Sequence, residues 1–182
     1  MSRDPEARRR SIVEAAVRVI AEVGVADATH RRIAAEAGVP LGSTTYYFPT
    51  LGDLVRDALA SVAAEFAQDL DRWRATLQVA ADPAATLVGL ADEYLADRPR
   101  ALLEYELYLA AARSEPLRPL AVSWLEGLRA LLRPLAGAHA PGAAALVDGA
   151  ILQALVTGQP LERNALESSL RQLLPDPEPV RA

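Results

Sequence analysis

The chain contains no cysteine, which excludes disulfides and thiolate chemistry. It contains no lysine either, because all 19 basic residues are arginine. Histidine is nearly absent: His30 and His139 stand far apart in the sequence, so no cluster with metal-ligand spacing exists. No run of about 18 apolar residues marks a membrane-spanning helix. The start, MSRDPEARRRSIVEAA, lacks the long apolar core of a signal peptide, and a cytoplasmic protein is expected. No Gly-x-Ser-x-Gly elbow, phosphate loop or dinucleotide fingerprint occurs. Glu104 and Glu106 are two apart on an expected helix and face different ways, so they form no carboxylate pair. No catalytic residue, metal ligand or cofactor is therefore expected. Strands are missing as well, since no segment alternates apolar and polar residues.

What remains is helix. In the first segment Ile12, Ala15, Ala16, Val19, Ile20 and Val23 form one stripe at helical spacing, opened by Asp4 and Pro5 and ended by Gly24. Thr29 is placed to cap a second helix over about 30–37, and Gly38 to stop it. Pro40 opens a third, Pro49 ends it, and Thr50 caps a fourth. Leu51, Leu54, Val55, Ala58, Leu59, Val62, Phe66, Leu70 and Trp73 carry that fourth helix onward. Five more helices are expected over about 83–97, 99–113, 115–136, 142–158 and 161–174, punctuated by proline and glycine. The expectation is an all-α protein of nine helices in three parts. These are a head over 1–50, a larger helical domain over 51–175, and an acidic, proline-rich tail over 176–182.

One stretch departs from this plain composition. Residues 38–50, GVPLGSTTYYFPT, pack glycines, prolines, hydroxyls and aromatics together. A short helix, a glycine turn and another short helix describe a helix-turn-helix. Ala34 lets the two helices approach, Gly38 supplies positive φ, and Val39 fills the space beneath the turn. Leu41, Gly42, Ser43 and Thr45 are small enough to enter a major groove about 12 Å wide. Their hydroxyls suit base edges or phosphates and their methyls suit thymine. Of Tyr46 and Tyr47, one can pack while the other reaches the DNA backbone. Charge agrees weakly: residues 1–50 carry seven Arg against six acids, residues 51–182 twelve Arg against eighteen.

Residues 8–59 resemble the N-terminal domain of the tetracycline-repressor (TetR) family of bacterial transcription regulators. The shared landmarks are IVEAA…I…G in the first helix, Thr29, IA…AGV at 33–39, Gly42, Tyr-Phe-Pro at 47–49 and Asp53-Leu54. The resemblance implies that Arg31, Leu41, Gly42, Ser43, Thr45 and Tyr46 face base edges. It implies that Thr29, His30, Tyr47 and Thr50 touch phosphates of a double-stranded operator. Two departures stand out. The lysine usual at the start of the fourth helix is Leu51 here. The usual apolar residue and tyrosine inside the third helix are Thr44 and Thr45, which leaves open which threonine meets DNA.

The rest of the chain has two signals of its own. Aromatic and polar residues gather among Leu and Ala in 94–124, as a pocket requires. The expected lining for a small, largely apolar effector is Phe66, Trp73, Tyr94, Tyr105, Tyr108, Trp124 and Gln153. The resemblance implies such an inducer pocket among helices four to eight. The last two helices read as a helix-helix interface: the first is apolar nearly all round, the second carries a leucine stripe. A homodimer is expected there through Leu146, Ala150, Gln153, Ala154, Leu166, Leu170 and Leu173, and its symmetry suits a palindromic operator. The competing readings are an all-helical enzyme acting on an apolar substrate and a helical interaction module without effector.

Overall fold

The computed structural model describes residues 4–174, with the side chains of Leu107 and Arg113 left aside. The tail expected at 176–182 lies outside the described residues. Nine α-helices and two short 3-10 turns follow one another, and no strand occurs among the described residues. They are α1 (Pro5–Asp27), α2 (His30–Glu36), α3 (Leu41–Tyr47), α4 (Leu51–Gln78), α5 (Pro83–Ala96), α6 (Arg98–Arg113), α7 (Arg118–Ala136), α8 (Ala140–Thr157) and α9 (Arg163–Leu173).

The ends form where the local chemistry dictates. Asp4 caps α1, accepting from Glu6 N at 3.0 Å, with Pro5 in the first turn. Thr29 caps α2 through Arg32 N at 3.2 Å, and Asp82 caps α5 through Ala85 N at 3.0 Å. Pro141 and Pro99 fall inside the first turns of α8 and α6 rather than before them. Gly24, expected to end the first helix, has φ +82 and ψ 164 and breaks it, after which the chain resumes a short helical path to Asp27.

The described residues form two compact units, 4–65 with 102–121, and 66–101 with 122–174. The first holds α1–α3 and the first half of α4. Its core is Ile12, Val19, Ile20, Ile33, Phe48, Leu54, Leu59 and Val62, joined by Leu103 and Leu117. Burying such side chains stabilises by about 1.5–3 kcal/mol each. In the second unit α5, α8 and α9 pack together. Arg171 of α9 donates to Asp82 at 2.5 Å, and Arg98 donates to the Leu155 carbonyl at the end of α8 at 2.7 Å. The helical stretch Glu115–Thr157 has the length and mean hydropathy, 1.4, of a membrane-crossing segment. It is nevertheless two helices parted by a turn at Gly137, φ +51, and α8 buries seven residues.

Candidate DNA-reading head and effector cluster

The α2–α3 turn is built from backbone bonds. Val39 N donates to Ala34 O at 3.0 Å and Gly38 N to Ala35 O at 3.2 Å, the paired closure of a Schellman motif. Gly38 takes φ +64 there. Ala34 is buried, and Val39 packs on the core, as the turn geometry demands.

The turn sets which face of α3 is free. Thr44 is fully buried, its hydroxyl donating to the Leu41 carbonyl at 2.8 Å, so Thr45 is the outward threonine. Leu41 and Tyr46 are exposed, Tyr46 at 79%. Gly42 is exposed too, and Ser43 half-buried. Tyr47 is the ring that packs on the core. Tyr46 meets it edge-on at 5.1 Å between centroids. An apolar ring 79% exposed beside two small residues and a threonine forms a shallow, uncharged contact surface.

Around this surface the charges divide into committed and free. Arg9 pairs with Asp57 and stands over the Phe48 ring at 5.0 Å, which ties α1, the end of α3 and α4 together. Arg18 pairs with Glu36 at 2.5 Å. Arg31 and Arg32 on α2 are exposed and have no ion-pair partner among the described residues. His30 has a buried Nδ1 without a partner.

At the start of α4, Thr50 Oγ1 accepts from Asp53 N at 3.1 Å and donates to Asp53 Oδ2 at 2.7 Å. Arg56 donates to Asp53 Oδ1 at 2.7 Å. The Thr50 hydroxyl and then the Arg56 guanidinium hold the Asp53 carboxyl below the usual aspartate range. Leu51, at the position where the family resemblance has a lysine, packs on the core. A cation does stand at this helix end, but it is Arg56, folded back on Asp53. The pairing of Arg9 with Asp57, 48 positions apart, leaves no local pattern in the sequence, whereas that of Arg56 with Asp53 is a local i, i+3 pair.

In the second unit four of the expected effector-lining residues come together. Phe66 stacks on Trp124 at 3.9 Å with planes 15° apart. Tyr94 stands edge-on to Phe66 at 6.5 Å and to Trp73 at 6.3 Å. The buried Asp69 beside them pairs with Arg100 and Arg72. An open cavity of about 390 Å³ is lined by Trp73, Tyr94, Asp69 and Arg100 among others. Tyr105 and Tyr108 belong to the first unit. Gln153 lies instead in a groove of about 450 Å³ between α8 and α9, with Leu146, Ala150 and Ala154.

The residues expected at a dimer interface divide similarly. Ala154, Leu166 and Leu170 are buried within the subunit, Leu170 completely. The α9 stripe therefore records packing inside the chain. Leu146, Ala150 and Leu173 are half-buried and Gln153 exposed. Leu152 and Val156 on α8, which the sequence pattern did not single out, are exposed, Val156 at 77%.

Comparison with known proteins agrees with this geometry. Residues 12–58 match the family model for bacterial regulatory proteins, tetR family. Residues 78–176 match the tetracyclin repressor-like C-terminal domain. The HTH-type transcriptional regulator BetI of Escherichia coli strain K12 is 29% identical over 180 residues, covering 92% of each chain. The crystal structure of the multidrug binding protein EbrR with imidazole superposes with a TM-score of 0.81 at 42% identity, over 96% of this chain and 98% of that one. A TetR family member from Streptomyces coelicolor A3 gives 0.81 at 42% identity, over 92% and 98%. The chain belongs to the TetR family of bacterial DNA-binding transcriptional regulators.

Proposed function

We propose that the chain is a ligand-responsive repressor that binds a palindromic operator as a homodimer in the cytoplasm. Residues 1–50 are its reading domain, and residues 51–175 carry effector binding and dimerisation. The observation that carries this is the exposed, uncharged face of α3, Leu41, Gly42, Thr45 and Tyr46, held by a bonded turn. Such a face fits a major groove, while Arg31, Thr29, His30 and the N-terminus of α4 at Thr50 meet phosphates. Ser43 and Tyr47, both half-buried, contact DNA at the edge of this face.

The effector is a small, largely apolar molecule with a flat ring, taken by the Phe66–Trp124–Tyr94–Trp73 cluster. Structures of EbrR, 42% identical, are complexes with ethidium and with proflavin, which supports this class. Its binding lowers operator affinity, and operator binding lowers affinity for it by the same factor. Two subunits meet through the α8 face with Leu152, Gln153 and Val156 and the edge of α9, an apolar surface left uncovered in one chain.

The test is a fluorescence-anisotropy titration of the full chain against palindromic DNA from beside its own gene. A sequence-specific, salt-dependent isotherm, reversed by ethidium, is expected. Equal affinity for scrambled DNA overturns the reading. Tyr46→Ala is expected to weaken specific binding about tenfold, while the melting temperature stays unchanged.

A further inference from the structure

We propose that the DNA-reading unit holds a ligand site of its own, separate from the aromatic cluster, which takes a hydrophobic organic monocation against Glu106. An open cavity of about 770 Å³ lies entirely within the first unit, walled by the end of α1, the start of α4, α6 and the turn that follows it. That volume is in the range of small-molecule sites. Val25, Leu51, Val55, Leu109 and Leu117 give it an apolar wall, and Leu109 is 59% exposed, an apolar side chain left uncovered.

The charges on the wall do not balance. Asp53 is satisfied by Thr50, its own helix and Arg56. Glu106 is not. Its Oε1 accepts from Val25 N at 2.9 Å, a neutral donor, and no donor among the described residues reaches Oε2. A half-buried carboxylate without a counter-cation among the described residues, next to apolar surface, attracts a positive group that carries its own apolar body. Asp53 and Arg56 offset each other on the wall, so an anion is repelled by Glu106, and a neutral molecule of the same shape gains the apolar contact alone.

An occupant also touches the operator-reading machinery. Thr50 and Arg56 belong to the same wall, and Glu106 is the group that holds the end of α1. A cation drawn to Oε2 competes with neither bond directly, yet fixes the α4 cap that carries Thr50. That consequence rests on the reading of Thr50 as a phosphate contact, whereas the binding itself does not.

Isothermal titration of the full chain, without DNA, with tetraphenylphosphonium and with its anionic isostere tetraphenylborate decides the matter. Saturable binding of the phosphonium is expected, with none for the borate. Glu106→Gln keeps the acceptor for Val25 N and is expected to weaken phosphonium binding about tenfold. Leu109→Arg, at an exposed position, puts a fixed cation in the site and is expected to abolish it. Trp124→Phe, in the aromatic cluster, is expected to leave it unchanged. Circular dichroism melts accompany each variant, and Leu109→Arg decides if Glu106→Gln is misfolded. Absence of saturable binding, equal uptake of the borate, wild-type affinity in both Glu106→Gln and Leu109→Arg, or loss of binding in Trp124→Phe each overturns the proposal.

Discussion

Gly24 and Gly38 both hold positive φ, +82 and +64, yet they close their turns in different ways. At Gly38 every bond is local: Val39 and Gly38 donate to carbonyls five and three residues back. Nothing stands within 4 Å of where a side chain would go. At Gly24 the turn is closed by a carboxylate from α6. Val25 N donates to Glu106, and a Cβ on Gly24 would lie 2.7 Å from that same oxygen. One glycine is needed for its dihedral angle alone, the other for its angle and for the room it leaves. The first kind of turn folds from its own sequence, and the second waits for a distant helix.

Breaking the distant turn is the largest effect. Gly24→Ala is expected to cost about 3 kcal/mol in urea unfolding, from a glycine-only backbone region plus the approach of Glu106. Glu106→Ala is expected to cost about 2 kcal/mol, because it leaves the Val25 N–H without its acceptor. Combining the two sharpens the contrast: in the Glu106→Ala background Gly24→Ala loses its clash, so the pair costs less than the two added together. Additive costs would mean that Gly24 is required for its angle alone.

Gly38→Ala meets strain and no clash, and about 1 kcal/mol is expected. Thr29→Ala removes the α2 cap on the same element and is also expected to cost about 1 kcal/mol.

The smallest effect is the titration of the caps. Asp82 is held below the usual aspartate range by the Ala85 backbone N–H and then by Arg171, and Asp53 is held low likewise. A lowered carboxyl pKa gives stability that is complete above the unfolded value and is lost as pH falls through the folded one. The melting temperature is therefore expected to fall more steeply below about pH 4 in the wild type than in Asp82→Asn. Parallel curves would remove Asp82 from the account.

The same contrast explains what could be read in advance. Caps at Asp4, Thr29, Thr50 and Asp82, the Gly38 turn and the α4 stripe depend on neighbours a few residues away, and their residue types announce them. Eight of the nine apolar residues named on α4, from Leu54 to Trp73, are buried. Pairings such as Arg9 with Asp57, or Glu106 with Val25, join residues 48 and 81 positions apart and leave no periodic trace. The α9 leucines show another limit. A stripe records that a face is covered, and Leu166 and Leu170 are covered by their own subunit. Gln153, expected both in the effector lining and at the dimer interface, lies in the groove beside α9 with Leu146, Ala150 and Ala154. Two adjacent threonines on α3 are equivalent in sequence, and only burial places Thr44 inside and Thr45 outside.

The uncharged α3 has a consequence for how this regulator responds to salt. Each phosphate neutralised by a cation releases counterions and adds about 0.9 to the slope of log affinity against log salt. Hydroxyls and tyrosine rings add nothing to it. Arg9, Arg18 and Arg56 are already paired inside the unit, which leaves Arg10, Arg31 and Arg32 as exposed arginines without an ion pair among the described residues. With the contacts proposed above, a shallow dependence of operator affinity on ionic strength is expected, at the expense of the long-range electrostatic capture that speeds more basic readers to DNA.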